Sequence, residues 1–348
     1  MKKAGIYDPY LDTLGGGERY CLTLAEFLLN SGWEVDLFWE KEDLKEKIGE
    51  RFQISLKRVN FVYIPKKLLK KVEIHRKYDL LFWLSDGSVP FMFAKKNILH
   101  FQIPFKNVGG KSFLNKFKLK LIDEIICNSQ FTKEVIDGEF GIKSIVIYPP
   151  VDVNKFKSGK KENIILSVGR FSRLMQEKGQ EILINCFKKI TQEGLRGWKF
   201  ILAGGSEVGG SDLVERLRLL AKGYPIEIFE NISFRQLVDL YSKAKIFWAA
   251  NGYGIDEDKN PEKMEHFGIS VVEAMSAGAV PLLIKKGGFQ EIIEDGKSGF
   301  FWESTDELIG KTLQLSGKSL EKIARQARQR SLHFAKEKFY ERISKIIS

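Results

Sequence analysis

Two carboxylates, Glu265 and Glu273, stand either side of seven residues in the stretch EHFGISVVEAMSAGAVP, residues 265–281. His266, Phe267 and Gly268 read as the end of a loop, and residues 269–277 as a short apolar helix that stops at Gly278 before a strand at 280–284. Glu265 is then expected just before the helix and Glu273 within its first two turns. Free N–H groups and the positive end of the dipole make such a helix start an anion site. An isolated pair of glutamates is ordinarily solvated. This helix, however, carries Ile269, Val271, Val272, Ala274, Met275 and Ala277 nearly all round, so Glu273 is expected to be covered and to need a partner.

Cations come from another part of the chain. The segment SVGRF puts Gly169 and Arg170 at the end of an apolar run, and Lys178-Gly179 opens the next helical pattern. An arginine and a lysine at a strand's carboxyl end, beside a helix start, can clamp a diphosphate; an Arg–acid surface pair is the plainer reading of Arg170. Gly204 and Gly205 end the following strand. Asn231 and Ile232 end the one after it, as a contact for a base or as a plain loop and helix cap.

The first half offers a weaker set. Gly15, Gly16 and Gly17 precede an apolar helix and allow close backbone approach to a phosphate, or simply a flexible turn. They match neither the G-x-G-x-x-G fingerprint nor a P-loop. His100, Asp86, Asn128 and Ser129 fall at strand carboxyl ends, and they converge only if the strand order is right. A lone histidine reads equally as a satisfied core residue. No His/Cys/Asp cluster has metal-ligand spacing, so no metal is expected, and there is no serine nucleophile elbow.

The elements that must position these residues alternate. Strands are expected at 4–7, 34–39, 60–64, 80–84, 98–102, 124–128 and 145–148, with helical patterns between them. After Pro149-Pro150 and a polar stretch a second series follows at 164–168, 199–203, 227–229, 245–249 and 280–284. That is an α/β protein with two parallel sheets, and 348 residues are more than one core usually supports. Two doubly wound domains would place a ligand at the carboxyl ends of their strands, in the crevice between them. Cys21, Cys127 and Cys186 are widely spaced in apolar contexts and read as reduced core residues. No apolar run reaches the roughly 20 residues of a membrane span. The N-terminus goes straight into a strand, so a cytoplasmic location is expected.

The net charge of +11 is concentrated. Residues 57–120 hold 15 Lys or Arg against Glu73, Asp79 and Asp86, and lysines sit beside Leu and Phe in 66–71 and 111–122. A solvated basic face, an anionic membrane surface and a nucleic-acid surface all share this pattern. Nucleic acid leaves the glutamate stretch idle and is set aside.

Together GGGERY, SVGRF with EKG, and EHFGISVVEAMSAGAVP resemble the retaining nucleotide-sugar glycosyltransferases of family 4, of the GT-B fold. The likeness covers essentially the whole chain, and its forms are most similar to mannosyltransferases that extend lipid-linked oligosaccharides from GDP-mannose. The resemblance implies two Rossmann-like domains facing a central cleft, with the last helix crossing back onto the first: residues 1–153 plus 331–348 on the acceptor side, and 154–330 on the nucleotide-sugar side. It implies that Glu273 binds the ribose and that Glu265, with the backbone of Phe267, Gly268, Ile269 and Ser270, holds the sugar and its phosphate. Arg170, Lys178 and the Gly16-Gly17 amides would neutralise the diphosphate without a metal or other cofactor. His100 would approach sugar and acceptor, with Asp86, Asn128 and Ser129 as acceptor-side candidates. The acceptor would be a lipid-linked or other glycan, reached by peripheral contact with an anionic membrane. A UDP-sugar enzyme on a soluble acceptor and a non-catalytic sugar-nucleotide-binding subunit are the competing readings. One departure from the family pattern, the polar loop 251–264, would close over the donor or contact an acceptor.

Overall fold

Leu80–Leu84 (LLFWL) and Val280–Ile284 (VPLLI) are buried at every position, as strands covered on both faces must be. A computed structural model describes residues 1–13, 15–40, 44–65, 67–172, 176–206 and 211–347, the side chains of Lys70 and Ser211 aside. Among these, two wholly parallel sheets carry the chain.

The first sheet contains β1 (Lys3–Tyr7), β2 (Glu34–Leu37), β3 (Asn60–Phe61), β4 (Leu80–Leu84), β5 (Lys96–Phe101), β6 (Glu124–Cys127) and β7 (Ile145–Val146), in the order β3-β2-β1-β4-β5-β6-β7. The second contains β8 (Glu162–Val168), β9 (Lys199–Gly204), β10 (Ile226–Glu230), β11 (Ala244–Ala249), β12 (Val280–Ile284) and β13 (Phe300–Trp302), in the order β10-β9-β8-β11-β12-β13. In each sheet the winding reverses once, between β1 and β4 and between β8 and β11. Doubly wound sheets take ligands at the carboxyl ends of such a pair.

The expected strand at 60–64 shortens to two residues, because Val62 onward leaves the sheet. Sequence reasoning did not find β13: three residues, FFW, at a sheet edge carry too little periodicity to announce a strand.

One unit spans residues 1–150 and 336–348, the other 151–335. The first boundary thus lies three residues before the expected position and the second five after it. The helix Lys336–Ile347 belongs to the first unit, where Phe339, Ile343 and Ile346 join the core and the Phe339 ring meets Tyr20 edge-on at 4.8 Å. Tyr340 stacks on Phe27 at 4.9 Å and donates its hydroxyl to Glu26 Oε2 at 2.9 Å. All three cysteines are buried and free.

Candidate active site

In the second unit, β8 ends at Val168 and the chain turns through Gly169 and Arg170. A Cβ on Gly169 would press the Lys178 side chain at 2.9 Å, so only glycine lets that lysine lie across the strand end. Lys178 Nζ reaches Glu265 Oε2 at 2.9 Å, with the two side chains 16% and 18% exposed. Gly179, at φ +66°, then starts the helix Gln180–Gln192. It packs against Ala250 at the end of β11, where a Cβ would come within 2.8 Å of the Ala250 methyl. Gln180 Nε2 donates to the Arg170 carbonyl at 3.0 Å and holds the turn.

Glu265 to Gly268 is a cradled loop. The Gly288 amide donates to the Glu265 carbonyl at 2.7 Å, and Cβ atoms on Gly287 or Gly288 would run into the backbone of Glu265 and His266. Gly268 has φ +109° and is packed by Phe289, which a Cβ there would meet at 2.9 Å. It caps the helix Ile269–Ser276, and its carbonyl accepts from the Val271 and Val272 amides at 3.0 and 3.4 Å. The Ile269 and Ser270 amides therefore lead the helix, on the same loop as Glu265. Gln176 Nε2 donates to the Met264 carbonyl at 2.8 Å and lies 2.8 Å from His266 Nε2.

Glu273 is buried, as expected, and its partner is the wholly buried Tyr241, whose hydroxyl donates to Oε2 at 2.9 Å. At the ends of β9 and β10, Asn231 sits at φ 53°; its Oδ1 accepts from the Ser206 amide at 3.1 Å and its Nδ2 donates to Ser206 Oγ at 3.0 Å. Gly204 lies so close to the Gly169 carbonyl that a side chain is excluded, and the Gly205 carbonyl accepts from the Phe171 amide at 2.9 Å. Arg170, Lys178, Gly204, Gly205 and Asn231 thus line the carboxyl end of the second sheet together, and Glu265 is joined to them through Lys178.

In the first unit, Gly16 and Gly17 are the first turn of the helix Gly16–Asn30. Gly17 backs directly on the Gln102 side chain. Glu18 caps the helix from inside by accepting the Gly15 amide, and it lies buried beside Asp8. Burial, with Glu18 alongside, pushes the Asp8 carboxyl up to about 8.

His100 is not at a surface. It is fully buried, stacked on Tyr20 at 4.1 Å and near Phe82 at 5.6 Å. Its Nδ1 must donate to the Ile126 carbonyl at 3.2 Å, which leaves Nε2 as an acceptor with no partner among the described residues. Burial pushes its pKa down to about 3. His100 is thus placed in the core of the first unit, near the carboxyl end of β5. Asn128 and Ser129 are also turned inward. Asn128 Nδ2 donates to the Gln102 carbonyl at 3.0 Å, and Ser129 Oγ caps the next helix at the Thr132 amide, 3.0 Å away. Of the acceptor-side candidates only Asp86 is exposed, and its Oδ1 accepts from Ser88 Oγ at 2.6 Å.

Comparison with known proteins now decides the family. The profile of Glycosyl transferases group 1 matches residues 150–330, and that of Glycosyltransferase Family 4 matches residues 14–155. This chain belongs to the glycosyl transferases group 1. The transferase is 29% identical to the human GDP-Man:Man(3)GlcNAc(2)-PP-Dol alpha-1,2-mannosyltransferase, over 96% of this chain and 84% of that protein. It is 30% identical to the Xenopus tropicalis protein of the same name, over 86% and 77%, and 25% identical to Alpha-1,3/1,6-mannosyltransferase ALG2 of Dictyostelium discoideum, over 84% of each. Among solved structures, a glycosyltransferase of Rickettsia africae superposes with a TM-score of 0.78 at 19% identity, over 99% and 97% of the two chains. Anabaena HepE in complex with UDP and glucose gives 0.73 at 19%, over 99% of each. The fold of the transferase is GT-B.

Sequence reasoning passed over four residues that shape this site: Gln176, Tyr241, Gly287 and Gly288. The glycine pair could have been found, since two adjacent glycines close behind a buried strand, here after Lys285 and Lys286, mark a close backbone approach. Tyr241 could not, because it lies on another helix, 32 residues from Glu273 in sequence.

Proposed function

We propose that this glycosyltransferase moves mannose, with retention of configuration, from GDP-mannose to a lipid-linked oligosaccharide on the cytoplasmic face of a membrane. The observation that carries the reading is the Lys178–Glu265 contact at a cradled helix start, with Arg170 on the adjoining turn. It sets a cation for phosphate directly beside a carboxylate for sugar hydroxyls. The names of the curated mannosyltransferase relatives support the choice of donor and acceptor.

In the proposed reaction the bond from the anomeric carbon to the diphosphate oxygen breaks as the acceptor hydroxyl attacks from the same face. The acceptor proton passes to the departing phosphate oxygen. Negative charge grows on the diphosphate, so Lys178, Arg170 and the Ile269 and Ser270 amides bind the transition state more tightly than the ground state. Glu265 orients the sugar, and Glu273, held by Tyr241, takes the ribose. Cationic side chains and the helix start fill the place of a divalent ion, so the reaction proceeds in chelator. Peripheral contact with anionic lipid through the basic segment 57–120 brings the enzyme to its acceptor.

A thermal-shift and hydrolysis panel of GDP-mannose, UDP-glucose and UDP-N-acetylglucosamine, followed by transfer to a dolichol-type oligosaccharide, tests the reading. GDP-mannose should give the largest shift. A larger response to a uridine donor overturns the mannosyl assignment, and binding without turnover on any acceptor favours a non-catalytic subunit.

A further inference from the structure

The helix Phe113–Leu119 is turned inside out. None of its residues is buried; Phe113 is 89% exposed, and Leu114 and Phe117 are 54% exposed. The half-buried inner positions are Asn115, Lys118 and Leu119. A surface helix ordinarily hides its apolar stripe and shows its charges.

The display is held in place. Ser112 Oγ caps the helix at the Asn115 amide, 3.3 Å away, and Asn115 Nδ2 ties back to the Gly109 carbonyl at 3.1 Å. The loop before it is gripped by Glu139, whose carboxylate accepts the amides of Asn107, Val108 and Gly110, each at 3.0 Å. Burial pushes the Glu139 carboxyl up, but these amides outweigh it and hold it below its ordinary value. On the inner side Lys118 Nζ lies 5.1 Å over the Phe91 ring, whose centroid is 6.4 Å from that of Phe117. Lys106, Lys111, Lys116 and Lys120 stand exposed around the apolar tip, and residues 106–120 contain five lysines and no Asp or Glu.

We infer that this helix docks the first unit on an anionic lipid surface, with Phe113, Leu114 and Phe117 entering the interface and the lysines resting on the headgroups. Apolar anchors ringed by cations match such a surface. A second copy of the chain would bring the same lysine ring against itself. In the second basic cluster, 66–71, Lys66 and the Lys70 side chain lie outside the described residues, and nothing here depends on them. The inference deepens the proposed reaction at a membrane-borne acceptor, and rests on that reading for what the docking is for.

Flotation with phosphatidylcholine vesicles, and with vesicles that also contain phosphatidylglycerol, tests it on the full chain. The protein should float only with the anionic vesicles. Phe113→Ser with Phe117→Ser should lower the partition coefficient at least about tenfold, and Lys111→Glu with Lys116→Glu and Lys120→Glu about a hundredfold. Both variants should melt like the parent, because the altered side chains face solvent. Phe113→Trp should shift its emission to the blue with anionic vesicles. Equal flotation of the Ser variant, a Trp emission indifferent to lipid, or a protein dimer abolished by the Ser substitutions overturns the proposal. The sugar-nucleotide thermal shift of the same variants reads the catalytic assignment separately: a floating parent that responds to no donor removes the reaction and leaves the docking.

Discussion

Replacing Lys178 by Met should separate stability from catalysis in a way that only its pairing with Glu265 predicts. At 2.9 Å and an effective dielectric of about 20, the attraction is about 6 kcal/mol, much of it offset by desolvation of two side chains that are less than one-fifth exposed. Removing the lysine alone leaves the largely covered Glu265 carboxylate without its cation, a cost of roughly 2–4 kcal/mol. Removing both charges, in Lys178→Met with Glu265→Gln, should recover most of that loss. Guanidinium denaturation without donor gives the stabilities, and steady-state transfer from GDP-mannose gives kcat and KM. The double variant should be nearly as stable as the parent and still inactive, because the charge that receives the leaving diphosphate in the proposed reaction is gone. Additive stability losses, or a Lys178→Met enzyme with parental kcat, would refute the reasoning.

Four further outcomes follow from the geometry. Gly268→Ala forces a side chain into φ +109° against Phe289 and Ile292, so it should cost roughly 2–4 kcal/mol in denaturation and raise the donor KM by displacing the first-turn amides. Tyr241→Phe should weaken donor binding about tenfold with little change in kcat, read by calorimetry, since only the orientation of Glu273 is lost. Asp8 keeps in the fold a proton that the unfolded chain releases near 4; its stabilising contribution is full below that pH and is lost as pH rises through about 8. The melting temperature of Asp8→Asn should therefore gain on the parent between pH 5 and pH 9, and a constant difference refutes the assignment. His100, with its pKa down at about 3, should show a neutral imidazole, protonated on Nδ1, from pH 5 to 8 in nitrogen-resolved NMR. A midpoint inside that range would place it in contact with water.

Most strands of both sheets were legible because runs such as LLFWL and VPLLI are continuously apolar, of a kind a parallel sheet demands. The burial of Glu273 was legible because a helix apolar all round forces a partner on any carboxylate within it, and Tyr241 donates to it. His100 stays open to two readings in sequence. A histidine in ILHFQIP looks the same whether its ring faces a substrate or, as here, lies between Tyr20 and Phe82. Asn128 and Ser129 are open in the same way, since polar residues at a strand end serve capping as readily as binding. The outward turn of Phe113 and Phe117 was invisible because periodicity reports which residues share a face, and not which way that face points.

The helix Lys336–Ile347 makes the first unit a product of both ends of the chain. Without Phe339, Ile343 and Ile346, the core that includes Tyr20 loses part of its cover. During synthesis the amino-terminal half must wait, incomplete and with an apolar gap, while some 185 residues of the other unit are made and fold. A chaperone that recognises exposed hydrophobic surface should therefore stay bound to nascent chains until that final helix leaves the ribosome, and a peptide of its sequence supplied in trans should release it early.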